Sequence, residues 1–277
     1  RKECFWDHFG AQKEKQFSAS QLEEYAKCPF QYFLKRILLL ETIEEPSEEI
    51  EAFELGSLIH SILYEFYKAI KEKNILLKDC DDKTFAKAER IIFDIAAKKI
   101  DRLNLQSTPA FFEREKIFGI TGNKKNSILY RFLETERDNK GNFLPQYFEI
   151  AFGSFNKLKP EFEVDVKGIK LRGKIDRIDI DAENQKYKVI DYKLSGRKPS
   201  KQDLESGISL QLPIYLFASR TLINAQLNKE LIPAEAVIYS LKLKKDEFGE
   251  KLIHISDKRK PDEEDLIKSN EELIKIC

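Results

Sequence analysis

The chain has 277 residues, 42% of them apolar, which is enough to bury a sizeable core in one large domain or in a core with a helical appendage. Lysine plus arginine and aspartate plus glutamate both total 48, so the formal net charge is zero. That balance excludes nucleic-acid binding through overall basicity and leaves only local patches for it. No run of uncharged apolar residues is long enough for a membrane span, and the opening residues from Arg1 show no signal-peptide pattern. Four cysteines, Cys4, Cys28, Cys80 and Cys277, lack paired CxxC spacing. Neither a disulfide framework nor a self-contained zinc site is indicated, and a reduced, cytoplasmic setting is expected. Methionine, the usual filler of irregular core gaps, is absent.

Residues 17–40, FSASQLEEYAKCPFQYFLKRILLL, begin with Ser18 or Ser20 as an N-cap and continue with apolar residues at helical intervals. Proline is tolerated in a first turn but not in a helix interior, so the pattern predicts two short helices meeting at Cys28-Pro29. An acidic, proline-containing link over 41–51 leads into ELGSLIHSILYEFYKAIK. There Leu55, Leu58, Ile59, Ile62, Leu63, Phe66 and Tyr67 form a broad apolar stripe with His60 beside it. Further helical patterns over 82–103 and 124–138 make residues 17–140 mainly helical.

From about residue 147 the apolar period shortens to two. QYFEIAFG reads as a strand, and FEVDV places Phe162, Val164 and Val166 on one face before Lys167-Gly168 turns the chain. In IKLRGKIDRIDI the apolar positions change phase after Ile175, which predicts a bulge or strong twist at Ile175-Asp176. Residues 182–185 are a polar turn, and KYKVIDYK returns as the next strand of an antiparallel meander. SLQLPIYLFASRTLI reads as a helix on the sheet, AEAVIYSLKL and KLIHIS as final strands, and the residues after Pro261 as a polar helical tail. Residues 145–260 thus hold the sheet core.

Asp191 and Lys193 lie two apart on a strand and so share a face, while Tyr192 points oppositely. A strand Asp-x-Lys is common on protein surfaces. Here the preceding strand supplies Asp176 and a third strand-like run supplies Glu149. Carboxylates from three neighbouring strands repel one another unless a cation sits between them. Two carboxylates and a lysine facing one substrate suit a hard-metal site, Mg²⁺ or Mn²⁺, for phosphodiester cleavage. Two basic clusters flank this face: Lys193, Arg197, Lys198 and Lys201, and Lys170, Arg172, Lys174 and Arg177. A solvated surface is the plain alternative for each.

His60, alone on its helix, fits a satisfied residue at the core edge, but Gly56 one turn earlier leaves room for a strand or a DNA backbone. Gln211 and Tyr215 form an i, i+4 pair. Pro213 between them belongs in a first turn and puts Gln211 near a helix N-terminus, where backbone N–H groups favour an anion.

Six segments, FSASQLEEYAKCPFQYFL, GSLIH, FEIAFG, GKIDRID, VIDYK and QLPIY, occur in the order seen in the RecB-like branch of the PD-(D/E)xK nucleases. The chain resembles most the C-terminal nuclease domain of AddB-type helicase–nuclease subunits. The resemblance implies a restriction-endonuclease-like α/β fold: a mixed, mostly antiparallel central sheet flanked by helices, with a helical N-terminal portion, as one domain over 1–277. It implies a metal-dependent DNA exonuclease in which His60, Asp176 and Asp191, with the backbone carbonyl of Tyr192, ligate Mg²⁺ or Mn²⁺ and Lys193 is the catalytic lysine. Glu149 matches the family's earlier acidic motif. Gln211 and Tyr215 match its QxxxY motif, expected to help position DNA, with Arg177 and Arg197 as basic DNA contacts. Implied partners are DNA and a helicase domain or subunit of a repair and recombination complex, with no membrane. The alternative is a non-catalytic DNA-binding or scaffolding module of such a complex. Many relatives bind an iron–sulfur cluster through one cysteine at the position of Cys28 and three more after the core. Beyond the core only Cys277 follows, so either the remaining ligands belong to a longer protein that assembles the cluster or this member lacks it. Cys28 is expected to be a vestigial or incomplete ligand, with no cluster assembled in this chain.

Overall fold

The computed structural model describes residues 16–40, 52–100, 108–119, 123–153, 162–194, 198–227, 230–244 and 246–276. Ser18 opens α1 (Ala19–Lys27) with a capping box: its side chain accepts from the Gln21 N–H, and Gln21 Oε1 accepts from the Ser18 N–H. Cys28 is extended, and Pro29 starts α2 (Pro29–Tyr32), which passes into a π-helical turn over Phe33–Ile37. The two expected helices therefore meet at Cys28-Pro29. The acidic link over 41–51 lies outside the described residues.

The apolar stripe beginning at Leu55 forms α3 (Ala52–Glu72), with Ile59, Ile62 and Phe66 fully buried. Burying each such side chain stabilises the fold by about 1.5–3 kcal/mol. α4 (Asp82–Ile100) and α6 (Ile128–Arg137, capped by Ser127) pack with α3 into one apolar cluster. Between them lies α5 (Thr108–Phe118), which the apolar pattern does not announce because Phe111 and Phe112 face outward.

Five strands form the main sheet in the order β1-β4-β5-β6-β7: β1 (Leu144–Phe152), β4 (Gly173–Asp181), β5 (Lys186–Lys193), β6 (Ile232–Ser240) and β7 (Gly249–Ile253). β5 and β6 are parallel and all other neighbours antiparallel, so the sheet is mixed and mostly antiparallel. The predicted hairpin, β2 (Val164–Val166) and β3 (Ile169–Leu171), forms a separate two-stranded sheet. Its two-residue turn has Lys167 and Gly168 both at positive φ, 54° and 87°, as a turn matched to strand twist requires.

The β5–β6 crossover carries α7 (Lys201–Glu205) and α8 (Gln211–Leu227); α9 (Glu263–Ile276) packs on α8 and β6. Alternation along the strands divides the core. Ile190, Tyr192, Val237 and Tyr239 face the α3 cluster, whereas Tyr187, Val189, Ala236 and Ile238 face α8. α8 is apolar nearly all round because it is packed between the sheet and α9. No helix among the described residues is long and apolar enough to cross a membrane.

The expected irregularity at Ile175-Asp176 is present and involves both strands. Ile175 and Ile178 enter the α8-side cluster, while Arg177 between them stacks on Tyr67 of α3. In a regular strand Ile175 and Arg177 would share a face, so the backbone rotates at Asp176. On β1, Tyr147, Ile150 and Phe152 pack on the α8 side and Phe148 on Tyr67. Glu149 takes up that change of phase with φ 53°. The ladder runs Phe148↔Arg177 and Ile150↔Ile175, passing over the Glu149–Asp176 level.

Candidate active site

Strand pairing between β4 and β5 begins at Arg177↔Ile190, so Asp176 lies just past the end of the ladder. Its carboxylate continues the hydrogen bonding in place of backbone: the Tyr192 N–H donates to Asp176 Oδ2 at 2.9 Å. From α3, on one side of the sheet, His60 reaches this point with Nδ1 3.2 Å from Asp176 Oδ1 and Nε2 3.1 Å from the Tyr192 carbonyl oxygen. Both neighbours can accept, so without a metal ion the doubly protonated imidazole is favoured, and one ring nitrogen would have to give up its proton to bind an ion. Burial alone would lower the His60 pKa, but the charge and hydrogen bond of Asp176, then Asp191 and Glu149, raise it to about 9.

His60, Glu149 and Asp176 each offer a ligand atom, and these atoms lie within 4.8 Å of one another. Two hard oxygen donors and an imidazole suit a divalent ion of the Mg²⁺ or Mn²⁺ type. Burial raises the Glu149 pKa, although an ion pair with Lys174 pulls the other way. Burial also opposes ionisation of Asp176, but His60 and the Tyr192 N–H outweigh it and its pKa is lowered. His60 and Asp176 thus come together across 116 residues of sequence, as expected.

Asp191 lies beside this group and is tied to Lys193 and Gln211. It is 1% exposed, shares its face with Lys193, and engages catalytic-face neighbours through both oxygens: Oδ2 is 2.9 Å from Lys193 Nζ, and Oδ1 accepts from Gln211 Nε2 at 2.8 Å. The gathered set contains Glu149 together with His60 and Asp176, and Asp191 adjoins it, interacting electrostatically with both Asp176 and His60. Burial raises Asp191 to about 7, against the pull of Lys193 and with the push of Asp176. Burial disfavours the Lys193 cation, but Asp191 outweighs it and the lysine pKa is raised. Lys193 stays protonated at neutral pH.

The QxxxY pair also sits inside the site. Gln211 is the first residue of α8 with Pro213 in its first turn, as the spacing predicts. Its amide oxygen accepts from Lys193 Nζ at 2.8 Å, and its amide nitrogen lies 2.8 Å from Asp191 and 3.0 Å from the Tyr215 hydroxyl. Tyr215 is buried and edge-on to Phe152. The anion at the start of α8 is internal: Glu23 of α1 accepts from the Leu210 and Gln211 N–H groups.

Arg177 corrects another expectation. It is 0% exposed and cannot touch DNA. Its guanidinium binds Asp179 through two hydrogen bonds of 2.6 and 2.7 Å, Glu136 at 2.9 Å, and the Tyr67 and Tyr192 hydroxyls. Its partner Asp179 is equally buried. A strand that alternates cleanly would have shown Arg177 on an exposed face; burial of both sheet faces removes that inference. Truncating one member of a buried pair leaves the others uncompensated, so Arg177→Leu is expected to lower the unfolding free energy by about 3–5 kcal/mol. Urea unfolding checks this. A variant of unchanged stability with weakened DNA binding would return Arg177 to the DNA surface.

Arg197 lies outside the described residues. The Cys28 sulfur accepts from the Gln31 N–H at the start of α2, and Cys4 and Cys277 are outside the described residues. Among the described residues nothing lies within 4 Å of where a Gly56 Cβ would stand. Two residues stand out only in three dimensions. Lys174 meets Glu149 across the β1–β4 pair, a partnership the shared strand irregularity could have signalled, and Glu23 is 188 residues from Gln211, with no local signal at all.

In comparisons with known proteins, the profile of the PD-(D/E)XK nuclease superfamily matches residues 16–275. The chain is similar to bacterial proteins named as the B-type subunit of an ATP-dependent helicase/deoxyribonuclease. It is 33% identical to that of Clostridioides difficile over 211 residues (74% of this chain, 18% of the relative). It is 32% identical to that of Carboxydothermus hydrogenoformans over 234 residues (81% and 20%). For Clostridium kluyveri the identity is 28% over 235 residues (83% and 20%). The chain thus spans about a fifth of the length of the curated relatives it matches.

Proposed function

The chain belongs to the PD-(D/E)XK nuclease superfamily, and we propose that it is a Mg²⁺- or Mn²⁺-dependent deoxyribonuclease, an exonuclease acting as the nuclease domain of a repair helicase–nuclease. The observation that carries this reading is the meeting of His60, Glu149 and Asp176 beside the Asp191–Lys193–Gln211 cluster. A scaffolding module would have no use for six polar groups ordered around one point at the end of a strand ladder. The names of the relatives speak for DNA as substrate and a helicase as partner. Cys28 and Cys80, free among the described residues, speak for the cytoplasm.

His60, Glu149 and Asp176 would hold the ion. When bound, it would lower the pKa of water and neutralise charge building on the phosphate. Lys193, protonated and fixed between Asp191 and Gln211, orients the attacking water or meets charge on a phosphate oxygen; a protonated lysine is a poor general base. Asp191 fixes the lysine. Gln211, backed by Tyr215, holds this pair and through it would help position DNA. Lys174, 30% exposed and bound to Glu149, is placed to release that carboxylate and meet an incoming phosphate.

The test is incubation of the purified protein with end-labelled DNA, with and without Mg²⁺ or Mn²⁺. Metal-dependent release of end nucleotides is expected. DNA binding without cleavage under any divalent ion would favour the scaffolding reading, and internal cuts in circular DNA would replace exonuclease by endonuclease.

The electrostatics give a pH prediction for the metal-free protein. His60 should titrate at about 9 rather than near its ordinary 6.5. Because its folded value is raised, this proton stabilises the fold fully below about pH 6.5, and the contribution is lost as pH rises through about 9. NMR titration of the imidazole checks it, and Asp176→Asn should bring the midpoint back toward the ordinary value. An ordinary midpoint in the unsubstituted protein would mean that the ion pair does not form in solution.

A further inference from the structure

The first turn of α8 leaves backbone N–H groups without partners inside the helix. The residue before the helix is Leu210, whose side chain accepts nothing, so a cap has to come from elsewhere in the fold. It comes from α1: Glu23 Oε1 accepts from the Leu210 N–H at 2.7 Å and from the Gln211 N–H at 3.0 Å. α1 is itself well anchored. Its capping box fixes its start, Phe17 just before it exchanges backbone hydrogen bonds with Lys170 and Arg172 beside the small sheet, and Glu24 binds Arg36 of the π-helical turn through both oxygens.

Gln211, the residue whose backbone Glu23 holds, is also the residue whose side chain sorts the catalytic pair. Its amide can serve Lys193 and Asp191 together in one orientation only, oxygen toward the ammonium and nitrogen toward the carboxylate. An amide so placed tolerates little backbone movement, since both bonds are already 2.8 Å long.

We infer that Glu23 is a positioning residue of the active site, a cap delivered by α1 that fixes the start of α8 and through Gln211 sets the placement of Lys193 against Asp191. This deepens the nuclease reading and rests on it. It also makes α1 part of the catalytic apparatus.

Glu23→Gln keeps an oxygen that accepts from both N–H groups, Glu23→Ala removes it, and Glu23→Asp draws it back by one methylene. Cleavage of end-labelled DNA is measured with Mn²⁺ as a function of DNA concentration. Misplacement of reacting groups by about 1 Å costs rates on the order of 100-fold, so Glu23→Ala and Glu23→Asp are expected to lower the maximal rate roughly 10- to 100-fold. The DNA concentration for half-maximal rate and the Mn²⁺ affinity by calorimetry should stay near those of the unsubstituted protein, and Glu23→Gln should recover most of the rate. A readout independent of cleavage is the pair of Gln211 side-chain amide signals in ¹⁵N NMR, expected to move in the Ala and Asp variants and to stay in the Gln variant. Unchanged amide signals and rate in Glu23→Ala, or a Gln variant as impaired as the Ala variant, overturn the inference. Absence of cleavage in the unsubstituted protein counts against the nuclease reading alone, and the Gln211 signals still decide the place of Glu23.

Discussion

Lys193→Ala is expected to cut DNA cleavage by at least roughly 10²–10³-fold, the loss typical of removing one preorganised charge-stabilising group, while Mn²⁺ binding survives. The two effects separate because Lys193 belongs to one of two adjoining sets. Its ammonium lies 2.9 Å from Asp191 and 2.8 Å from Gln211, whereas the gathered donor atoms belong to His60, Glu149 and Asp176. Alanine removes the cation and leaves the donors where they were. Asp191 keeps its bond to Gln211 and, already driven toward protonation by burial, loses the main influence holding it ionised. Calorimetric titration with Mn²⁺ beside a cleavage assay measures both properties. Turnover near that of the unsubstituted protein would remove Lys193 from the chemistry, and loss of metal binding would place it in the ion's coordination instead.

Asp176→Ala should abolish both metal binding and cleavage. Its carboxylate serves three partners: it is one of the three gathered donors, it accepts from His60 Nδ1, and it accepts from the Tyr192 N–H. Changing a group that merely supports a ligand typically costs metal affinity 10–100-fold, so removing a charged ligand should cost more than roughly 100-fold. The Tyr192 N–H, buried and left without an acceptor, adds about 1–3 kcal/mol of destabilisation. Asp176→Asn separates the two losses. It keeps an oxygen for the Tyr192 N–H and should therefore keep most of the stability while still losing the ion. Mn²⁺ titration and urea unfolding of both variants form the measurement. Undiminished Mn²⁺ affinity in either variant would move the ion away from the end of the β4–β5 ladder.

Much of this arrangement is legible in the chain itself. The stripe from Leu55 to Tyr67 announces α3 because helical spacing of apolar residues has one physical solution, burial of that face. Ser18, Pro29 and Pro213 mark helix starts through local chemistry, a side-chain acceptor and a missing N–H, that needs no tertiary partner. Asp191 and Lys193 share a face because strand geometry puts i and i+2 together. The change of phase in IKLRGKIDRIDI is likewise read as the irregularity found at Asp176. These are short-range consequences of backbone geometry.

Tertiary structure decides the partners. Arg177 reads as a basic DNA contact in a charged strand, but β4 is covered on both faces, and the guanidinium is held by Glu136, Asp179 and two tyrosines. Which carboxylates lie beside His60 depends on where β1 and β4 change phase together, which neither strand specifies alone. Asp191 is bound to Lys193 and Gln211, and Glu149, at φ 53°, joins Asp176 near the imidazole. Glu23 is placed by packing across 187 and 188 residues of chain. Local sequence determines which groups share a face, because that follows from backbone geometry within a few residues. Which faces meet, and so which charge neutralises which, follows from the burial of whole elements against one another, a property of the assembled fold.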